Sequence, residues 1–414
     1  MNQIAATPVA VSTETPAFNL DPNAHRIGSD EEAIAIAREL AAEFVVGAAE
    51  RDRSRLLPVK ELERFSASGL WGITVPKAYG GAGVSFATLT EVIAVISAAD
   101  PNLGQLPQNH LAALDAIRVT GSDSQKSLWF ERALRGYRLG NAFSEARSRH
   151  VGAFETTVRP DGDNYVVKGE KFYATGALFA HFIHIGAVDP SGHVYLAIAT
   201  RGAEGLTIID SWSGFGQRTT ASGNVIIENV RVGPEAVIPA YLGAERPSSN
   251  GSVSQIIQAA VDAGIARGAI TETIAFVRNH ARPWIDSGQE HGYEDVHTIA
   301  QIGDLEVKLH AAEALLERAG QAIDGILEDP SEAAVSEVSV KVAEAKVSTT
   351  EIAILATNKL HELGGTRSTL DQLNLDRHWR NARTHTLHDP VRWKYFHIGN
   401  HLLNGVAPPR HAWN

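Results

Sequence analysis

Two histidines and an aspartate near the end of the sequence combine side chains that commonly bind metals or move protons. His385, His388 and Asp389 lie in "RTHTLHDPVRWK" (383–394), and a continuous helix would place all three on one face. The H-x-x-H-D spacing matches no established metal motif, and Pro390 favours the end of a helix at Asp389. The pattern therefore favours an acid–base or hydrogen-bonding pair, in which Asp389 fixes the ring orientation of one of the histidines, over a metal site. A polar helix end paired with neighbouring arginines is the alternative without chemistry.

Three stretches in the middle of the chain carry groups suited to a flat heterocycle. "GNAFSEARSRHVG" offers Asn141, Ser144 and successive backbone N–H groups, and "GEKFYATGA" places the Thr175 hydroxyl at a predicted strand end. Trp212, in "DSWSGFGQRTTASG", could wall an aromatic cofactor. Taken singly, the first two are better explained as a polar loop and an ordinary strand end. For Trp212, a core position is an equal alternative.

Two arginines lie at predicted helix ends in the last third of the chain. Arg282 is in "ARPW" and Arg367 in "GGTRST". An arginine fork beside glycine-rich backbone suits a phosphate group. A solvated or ion-paired arginine is the more common case.

Several nucleotide-binding and nucleophile motifs are absent from the sequence. It contains no G-x-x-x-x-G-K-[ST], no G-x-G-x-x-G after a strand and no G-x-S-x-G. "GGAG" (80–83) lies between helical stretches and is interpreted as a structural turn. A flavin or dinucleotide must therefore bind outside the folds that those motifs define.

The composition argues against several classes of site and partner. The 414 residues include no cysteine, which excludes disulfides, thiolate metal sites and cysteine nucleophiles. The net charge of −11 argues against a nucleic-acid partner or an anionic membrane surface. The first residues do not resemble a signal peptide, and no apolar stretch is long enough to span a bilayer. We expect a cytoplasmic protein.

The order of periodic segments predicts an α+β multidomain chain. We expect a flexible N-terminal arm over 1–27, an α-helical domain over 28–138, an antiparallel β-sandwich or barrel over 139–245 and an α-helical bundle over 246–414. Ser29 and Glu32 predict a capping box at the first helix. The order lacks the strand–helix alternation of a Rossmann fold.

These features together resemble the acyl-CoA dehydrogenase superfamily. The resemblance rests on "VPKAYGGAGVS", "NAFSEA" and "KFYATGA", and covers nearly all of residues 28–414. "GFGQRTTASG" and "LDRHWRNARTHTLHDPV" are similar to the flavin-dependent monooxygenase branch, which includes dibenzothiophene monooxygenase and sulfur-acquisition oxidoreductases. The resemblance implies an N-terminal helical domain, a central antiparallel β domain and a C-terminal helical bundle. It also implies that four copies of the chain assemble as a homotetramer.

The resemblance also implies a cofactor and partners. Reduced FMN would arrive from a separate NAD(P)H:flavin reductase, with FAD as the alternative, and O2 would be the co-substrate. His388 and Asp389 would be catalytic. The residues that the resemblance places at the cofactor are Asn109, Asn141, Ala142, Phe143, Ser144, Glu145, Lys171, Tyr173, Thr175, Trp212, Arg282 of a neighbouring subunit, Thr366, Arg367, His385 and His388.

Two reactions are compatible with this set. In the first, a C4a-hydroperoxide of the flavin transfers oxygen to the sulfur of an organosulfur compound, with His388 at the peroxide and Asp389 orienting it. In the second, Asp389 is the base of an acyl-CoA dehydrogenase. A helical scaffold without cofactor is the non-enzymatic alternative. Gln105 and Asn109 replace a histidine and a tyrosine of the dibenzothiophene enzymes, so we expect a smaller or more polar substrate.

Overall fold

The structure is a computed structural model that describes residues 16–414. Within these residues, seven α-helices come first, then eight strands, then six α-helices. The helices are α1 (Asp30–Phe44), α2 (Ala48–Ser54), α3 (Val59–Ser68), α4 (Phe86–Ala99), α5 (Pro101–Gln105), α6 (Gln108–Thr120), α7 (Asp123–Leu134), α8 (Leu242–Glu245), α9 (Asn250–His280), α10 (Val296–Asp324), α11 (Glu332–Gly364), α12 (Asp376–His385) and α13 (Val391–Asn404). The domain boundaries near residues 138 and 245 remain a prediction.

The eight strands form one sheet in the order β6-β7-β3-β2-β4-β5-β8, with β1 added beside β4. Most pairs are antiparallel, as predicted, but β1 and β2 each run parallel to β4. The parallel β1·β4 pair was not predicted, because it joins segments about forty residues apart in the chain. The strands are β1 (Leu139–Ala142), β2 (Thr157–Asp161), β3 (Asn164–Lys171), β4 (Phe182–Val188), β5 (Val194–Thr200), β6 (Leu206–Ile209), β7 (Asn224–Val232) and β8 (Val237–Ile238).

Local signals explain where several helices begin. The Ser29 and Ser85 hydroxyls accept hydrogen bonds from the backbone N–H groups of Glu32 and Thr88, which caps α1 and α4. The predicted capping box at α1 is only half formed, because the Glu32 carboxylate accepts from the N–H of Gly28 rather than that of Ser29. The Glu32 carboxylate therefore bonds the N–H one residue before the N-cap.

Helix α9 is the central element of the C-terminal helices and is buried along most of its length. Two glycines allow it to approach α4 closely. A Cβ atom at Gly264 would lie 2.4 Å from the carbonyl oxygen of Ala94, and one at Gly268 would lie 2.5 Å from that of Ala98. This contact fixes α9 against the N-terminal helices and so places its N-terminal end beside the sheet.

The predicted N-terminal arm lies partly outside the described residues. Its described part is docked: His181 contacts the carbonyl oxygen of Asn19 at 2.9 Å, and Asp21 accepts from the Tyr137 hydroxyl at 2.8 Å. Ile27 is buried. Across residues 16–414, no helix is long and apolar enough to cross a membrane.

Candidate active site

A cavity of about 710 Å³ lies between helix α6, the sheet and the N-terminal ends of α9 and α11. Strands β4 and β5 form one wall, with residues 141–154 beside them, and the C-terminal segment 407–414 closes another side. Five of the predicted site residues line this cavity: Asn109, Asn141, Phe143, Ser144 and His388.

Small side chains on α6 leave space for the cavity. Ala112, Ala113 and Ala116 recur at helical spacing, and Gln108 and Asn109 precede them, so this side of α6 presents three methyl groups and two amides. Gln105, the other departure noted in the sequence, is buried, and it is absent from the lining formed by the described residues.

The facing wall is the surface of the sheet. Asn141 on β1 pairs in register with His184 on β4, so their side chains project from the same face. Phe143 follows β1, and its ring lies across Gly186, where a Cβ atom would be 2.7 Å from the ring. Leu196 on β5 completes this largely apolar wall.

His388 lies in the turn that joins α12 to α13. Helix α12 ends at His385, four residues before Asp389, so the expectation of a helix reaching Asp389 is wrong. The His388 Nδ1–H donates to Oδ2 of Asp389 at 3.1 Å, and the Gln258 amide contacts Nε2 of His388 at 3.3 Å. The imidazole is therefore held from both sides and lines the cavity.

Asp389 is a buried carboxylate that lies behind His388. Its side chain is 2% exposed, and it does not appear among the described residues that line the cavity. Burial alone would raise the pKa of Asp389, but the charge and hydrogen bond of His388, with Lys346 and Lys394, hold it below its ordinary value. Burial lowers the pKa of Lys394 to about 8, and its ammonium donates to the carbonyl oxygen of Trp413.

His385 belongs to a different cluster, inside the helical bundle. Its Nδ1 lies 2.6 Å from Oδ1 of Asp262, whose Oδ2 accepts from Lys346 and from the Thr350 hydroxyl, each at 2.8 Å. His385, Asp262 and Lys346 are fully buried. The two histidines of the motif thus bind different carboxylates, and no group of three metal-binding side chains occurs in the described chain.

Glu145 and Lys171 form a buried ion pair with each other. The Lys171 ammonium lies 2.7 Å from Oε1 of Glu145 and donates to the carbonyl oxygen of Phe143. The Glu145 carboxylate also accepts from the backbone N–H groups of Glu155 and Thr156, at 2.8 and 3.1 Å. These bonds close the loop 145–156, whose residues His150 and Phe154 line the cavity. We call this arrangement the loop clasp.

A second group lies just beyond the ends of strands β3 and β6 and consists of Tyr173, Thr175 and Trp212. Strand β3 ends at Lys171, so Thr175 is not at the strand end as predicted; it follows Tyr173, whose φ of 58° turns the chain. The Thr175 hydroxyl lies 2.7 Å from that of Ser222, and the Tyr173 and Trp212 ring centroids are 6.2 Å apart.

Asn141 connects this group to the cavity. Its backbone N–H donates to the carbonyl oxygen of Thr175 at 3.1 Å, and its side-chain amide donates to that of Tyr173 at 3.2 Å. The next residue, Ala142, is fully buried within β1.

The end of the helical bundle that is opposite to the cavity holds Arg282, Thr366 and Arg367. All three are exposed, after the C-terminal ends of α9 and α11. Gln258 contacts His388 near the start of α9, and a rise of about 1.5 Å per residue puts about 33 Å between Gln258 and His280. One flavin cannot reach both ends within a single chain.

Sequence reasoning missed His184 and Gln258. His184 lies in "HFIHIGAV", a strand that is otherwise apolar, and Gln258 in "QIIQAAVDAG", an apolar stretch of a buried helix. A polar residue in such surroundings was the available signal.

Known proteins confirm the predicted relationship. Models of the acyl-CoA dehydrogenase N-terminal and C-terminal domains match residues 29–137 and 256–393. The chain belongs to the acyl-CoA dehydrogenase superfamily. Within the superfamily, it is 34% identical over 401 residues to dibenzothiophene monooxygenase from Rhodococcus qingshengii, which covers 92% of this chain and 96% of that protein.

Two further relatives belong to the same branch of the superfamily. The probable FMNH2-dependent monooxygenase SfnC from Pseudomonas putida is 30% identical over 384 residues, covering 91% of this chain and 96% of that protein. FMN-bound TdsC from Paenibacillus sp. A11-2 has a TM-score of 0.88 at 32% identity, over 92% of this chain and 100% of that one. The predicted acyl-CoA dehydrogenase fold is thereby confirmed.

Proposed function

We propose that the protein is a two-component monooxygenase that oxygenates the sulfur of a small organosulfur compound. The balanced reaction converts one thioether, one O2 and one FMNH2 to one sulfoxide, one water and one FMN. The observation that carries the proposal is the His388–Asp389 pair at a largely apolar cavity, in a chain whose relatives include dibenzothiophene monooxygenase. A separate NAD(P)H:flavin reductase would supply the reduced flavin.

The residues around Asn141 fit a flavin. The buried Oδ1 of Asn141 has no hydrogen-bond partner within residues 16–414, so it can accept from a ring N–H. The Thr175 hydroxyl and the Tyr173 and Trp212 rings offer a polar contact and aromatic surface on the adjoining side. Bound FMN would supply the reducing electrons that activate O2.

The protein's own groups would bind the substrate, exclude water and place a proton. Phe143, Leu196 and the alanines of α6 form apolar walls that limit water at the reacting centre. Asp389 fixes the His388 ring with Nδ1 protonated, which leaves Nε2 to exchange a proton with the reacting oxygen once that oxygen displaces the Gln258 amide. The Gln258 amide can donate to neutral Nε2 or, after a half-turn, accept from protonated Nε2.

We propose a homo-oligomer in which the phosphate site is completed by a neighbouring subunit. Arg282 and Arg367 are about 33 Å or more from the His388 end of α9, so they suit the FMN phosphate of another chain. Exposed apolar side chains on α13 support subunit contacts: Leu402 is 74% and Leu403 84% exposed. A homotetramer, as the resemblance implies, is the assembly we propose.

The dehydrogenase alternative is less consistent with the geometry. Asp389 is buried and hydrogen-bonded to His388, which lies between it and the cavity. A base must reach the proton that it removes, and the lowered pKa of Asp389 makes it a weak base. Bleaching of the protein's FMN or FAD by an acyl-CoA without a reductase would favour the dehydrogenase.

The test is the fate of oxygen in the FMN-loaded protein. With methyl phenyl sulfide or dibenzothiophene and a flavin reductase, the protein should form oxygenated product, while His388→Ala should divert most consumed O2 to hydrogen peroxide. His310→Ala, an exposed histidine on α10, is the matched control and should behave as the unaltered protein. The proposal is overturned if neither compound yields product, or if His388→Ala retains full product formation.

A further inference from the structure

We propose that His184 is a specificity-determining residue that hydrogen-bonds the oxygen of a neutral organosulfur substrate, of the sulfoxide class. This inference rests on the proposed function and extends it to the substrate. It assigns a binding role to a side chain on the sheet wall, away from the His388–Asp389 pair.

His184 is a buried polar side chain without a protein partner. Its side chain lines the cavity, it is 4% exposed, and neither ring nitrogen has a hydrogen-bond partner among the described residues. By contrast, the buried His110 uses both ring nitrogens, bonding to the carbonyl oxygen of Trp71 and the N–H of Leu139. Buried polar atoms are nearly always paired, so a partner for His184 must come from within the cavity.

The surroundings of His184 determine what that partner is. Its apolar neighbours on the wall are Phe143, Gly186 and Leu196. Its register partners are Ile198 on β5 and the polar Asn141 on β1. Burial lowers the pKa of His184 to about 4, so at neutral pH the ring offers one N–H donor and one lone pair. A neutral donor in an apolar wall suits a neutral acceptor, such as a sulfoxide oxygen.

The charges around the cavity favour a neutral substrate over an anion. Arg410 is the one lysine or arginine among the described lining residues, and it is ion-paired with Glu332. Glu245 adds a further acidic side chain. A sulfinate or sulfonate would therefore meet no unpaired arginine fork or ammonium group, whereas such anions are usually bound by one.

The sulfoxide class also leaves an atom to oxygenate. A sulfoxide sulfur retains one lone pair, and the balanced reaction converts one sulfoxide, one O2 and one FMNH2 to one sulfone, one water and one FMN. With its oxygen held by His184 on the sheet wall, the substrate is tethered at one atom while its sulfur stays free.

The test compares three ligands of similar size: methyl phenyl sulfoxide, methyl phenyl sulfide and benzenesulfinate. Each is titrated calorimetrically into the FMN-loaded protein with the flavin oxidised, so that no turnover occurs. The unaltered protein should bind the sulfoxide most tightly. His184→Leu should weaken sulfoxide binding about 10-fold while changing sulfide binding by less than about 3-fold, which corresponds to loss of one hydrogen bond.

Two variants serve as controls. His184→Gln keeps an N–H donor and should recover most of the sulfoxide affinity, whereas Leu196→Met changes the same wall without polarity and should affect both neutral ligands alike. An equal loss for sulfoxide and sulfide in His184→Leu, or tightest binding of benzenesulfinate, overturns the inference. These are binding results, so a protein that binds selectively but forms no oxygenated product contradicts the proposed function alone.

Discussion

The Nδ1 atom of His388 lies 3.1 Å from Oδ2 of the buried Asp389, and the Gln258 amide is 3.3 Å from the other ring nitrogen. This arrangement assigns opposite roles to two adjacent residues. His388 faces the cavity, and Asp389 acts through it as a positioning residue.

Replacing Asp389 by Asn should lower product formation by about 10²- to 10⁴-fold without loss of fold. The amide has the shape of the carboxylate, but it can donate to Nδ1 and so favour the wrong imidazole tautomer. The measurement is the steady-state rate of sulfoxide formation, with FMN affinity and far-UV circular dichroism as controls. Unchanged turnover in Asp389→Asn would remove this residue from the mechanism.

Gln258 should support the orientation of His388 through the contact with Nε2. Gln258→Leu removes this hydrogen bond and should reduce product formation about 5- to 10-fold. Gln321→Leu, an exposed glutamine on α10, is the control and should behave as the unaltered protein. The measurement is the steady-state rate of product formation, and equal rates for Gln258→Leu and the unaltered protein would contradict a role for the contact with His388.

Breaking the loop clasp should destabilise the protein. Lys171→Met leaves the buried Glu145 carboxylate without its cation and should reduce the free energy of unfolding by about 3–5 kcal/mol. The double variant Lys171→Met/Glu145→Gln removes the unpaired charge and should recover part of that loss. Urea unfolding measures both, and hydrogen exchange over 145–156 should rise. A double variant no more stable than Lys171→Met would show that the unpaired Glu145 charge is not the cause of the loss.

Acidification should destabilise the folded state through buried histidines. Burial lowers the pKa of His110 to about 3 and that of His184 to about 4. In the unfolded chain, each of these histidines has a pKa near 6.5. Between about pH 4 and 6.5 they are therefore protonated only in the unfolded state. Each histidine then costs up to about 1.4 kcal/mol of stability per pH unit as the pH falls.

His184→Gln isolates one of these contributions. As the pH falls from 6.5 to 4.5, the free energy of unfolding of His184→Gln should fall less steeply than that of the unaltered protein. The difference between the two slopes should correspond to about one proton. Asp262 and Asp389, whose pKa values are lowered, contribute losses below about pH 4, outside this window. Parallel slopes for the two proteins would mean that His184 is not buried as a neutral ring.

Much of the architecture could be predicted because its signals are local. The order of periodic segments placed a β domain between two helical regions, and Ser29 marked the start of α1. Asn141 and His388 were assigned through the family resemblance, and both line the cavity.

The missed features depend on contacts distant in sequence. His184 lies near the site because β4 pairs in parallel with β1, about forty residues away. Glu145 and Lys171 were expected at the cofactor, yet each neutralises the other across a closed loop. His385 was expected among the cofactor residues, and it bonds Asp262 on another helix. No local pattern encodes which of several charged residues becomes a partner.

The most direct test of the central claim is oxygen-isotope incorporation. The FMN-loaded protein is supplied with a flavin reductase, methyl phenyl sulfide and ¹⁸O2, and the product is analysed by mass spectrometry. We predict one ¹⁸O atom in each sulfoxide molecule, with product strongly reduced in His388→Ala and unchanged in His310→Ala. Sulfoxide that carries oxygen from water, or equal labelled product from His388→Ala, would contradict the account.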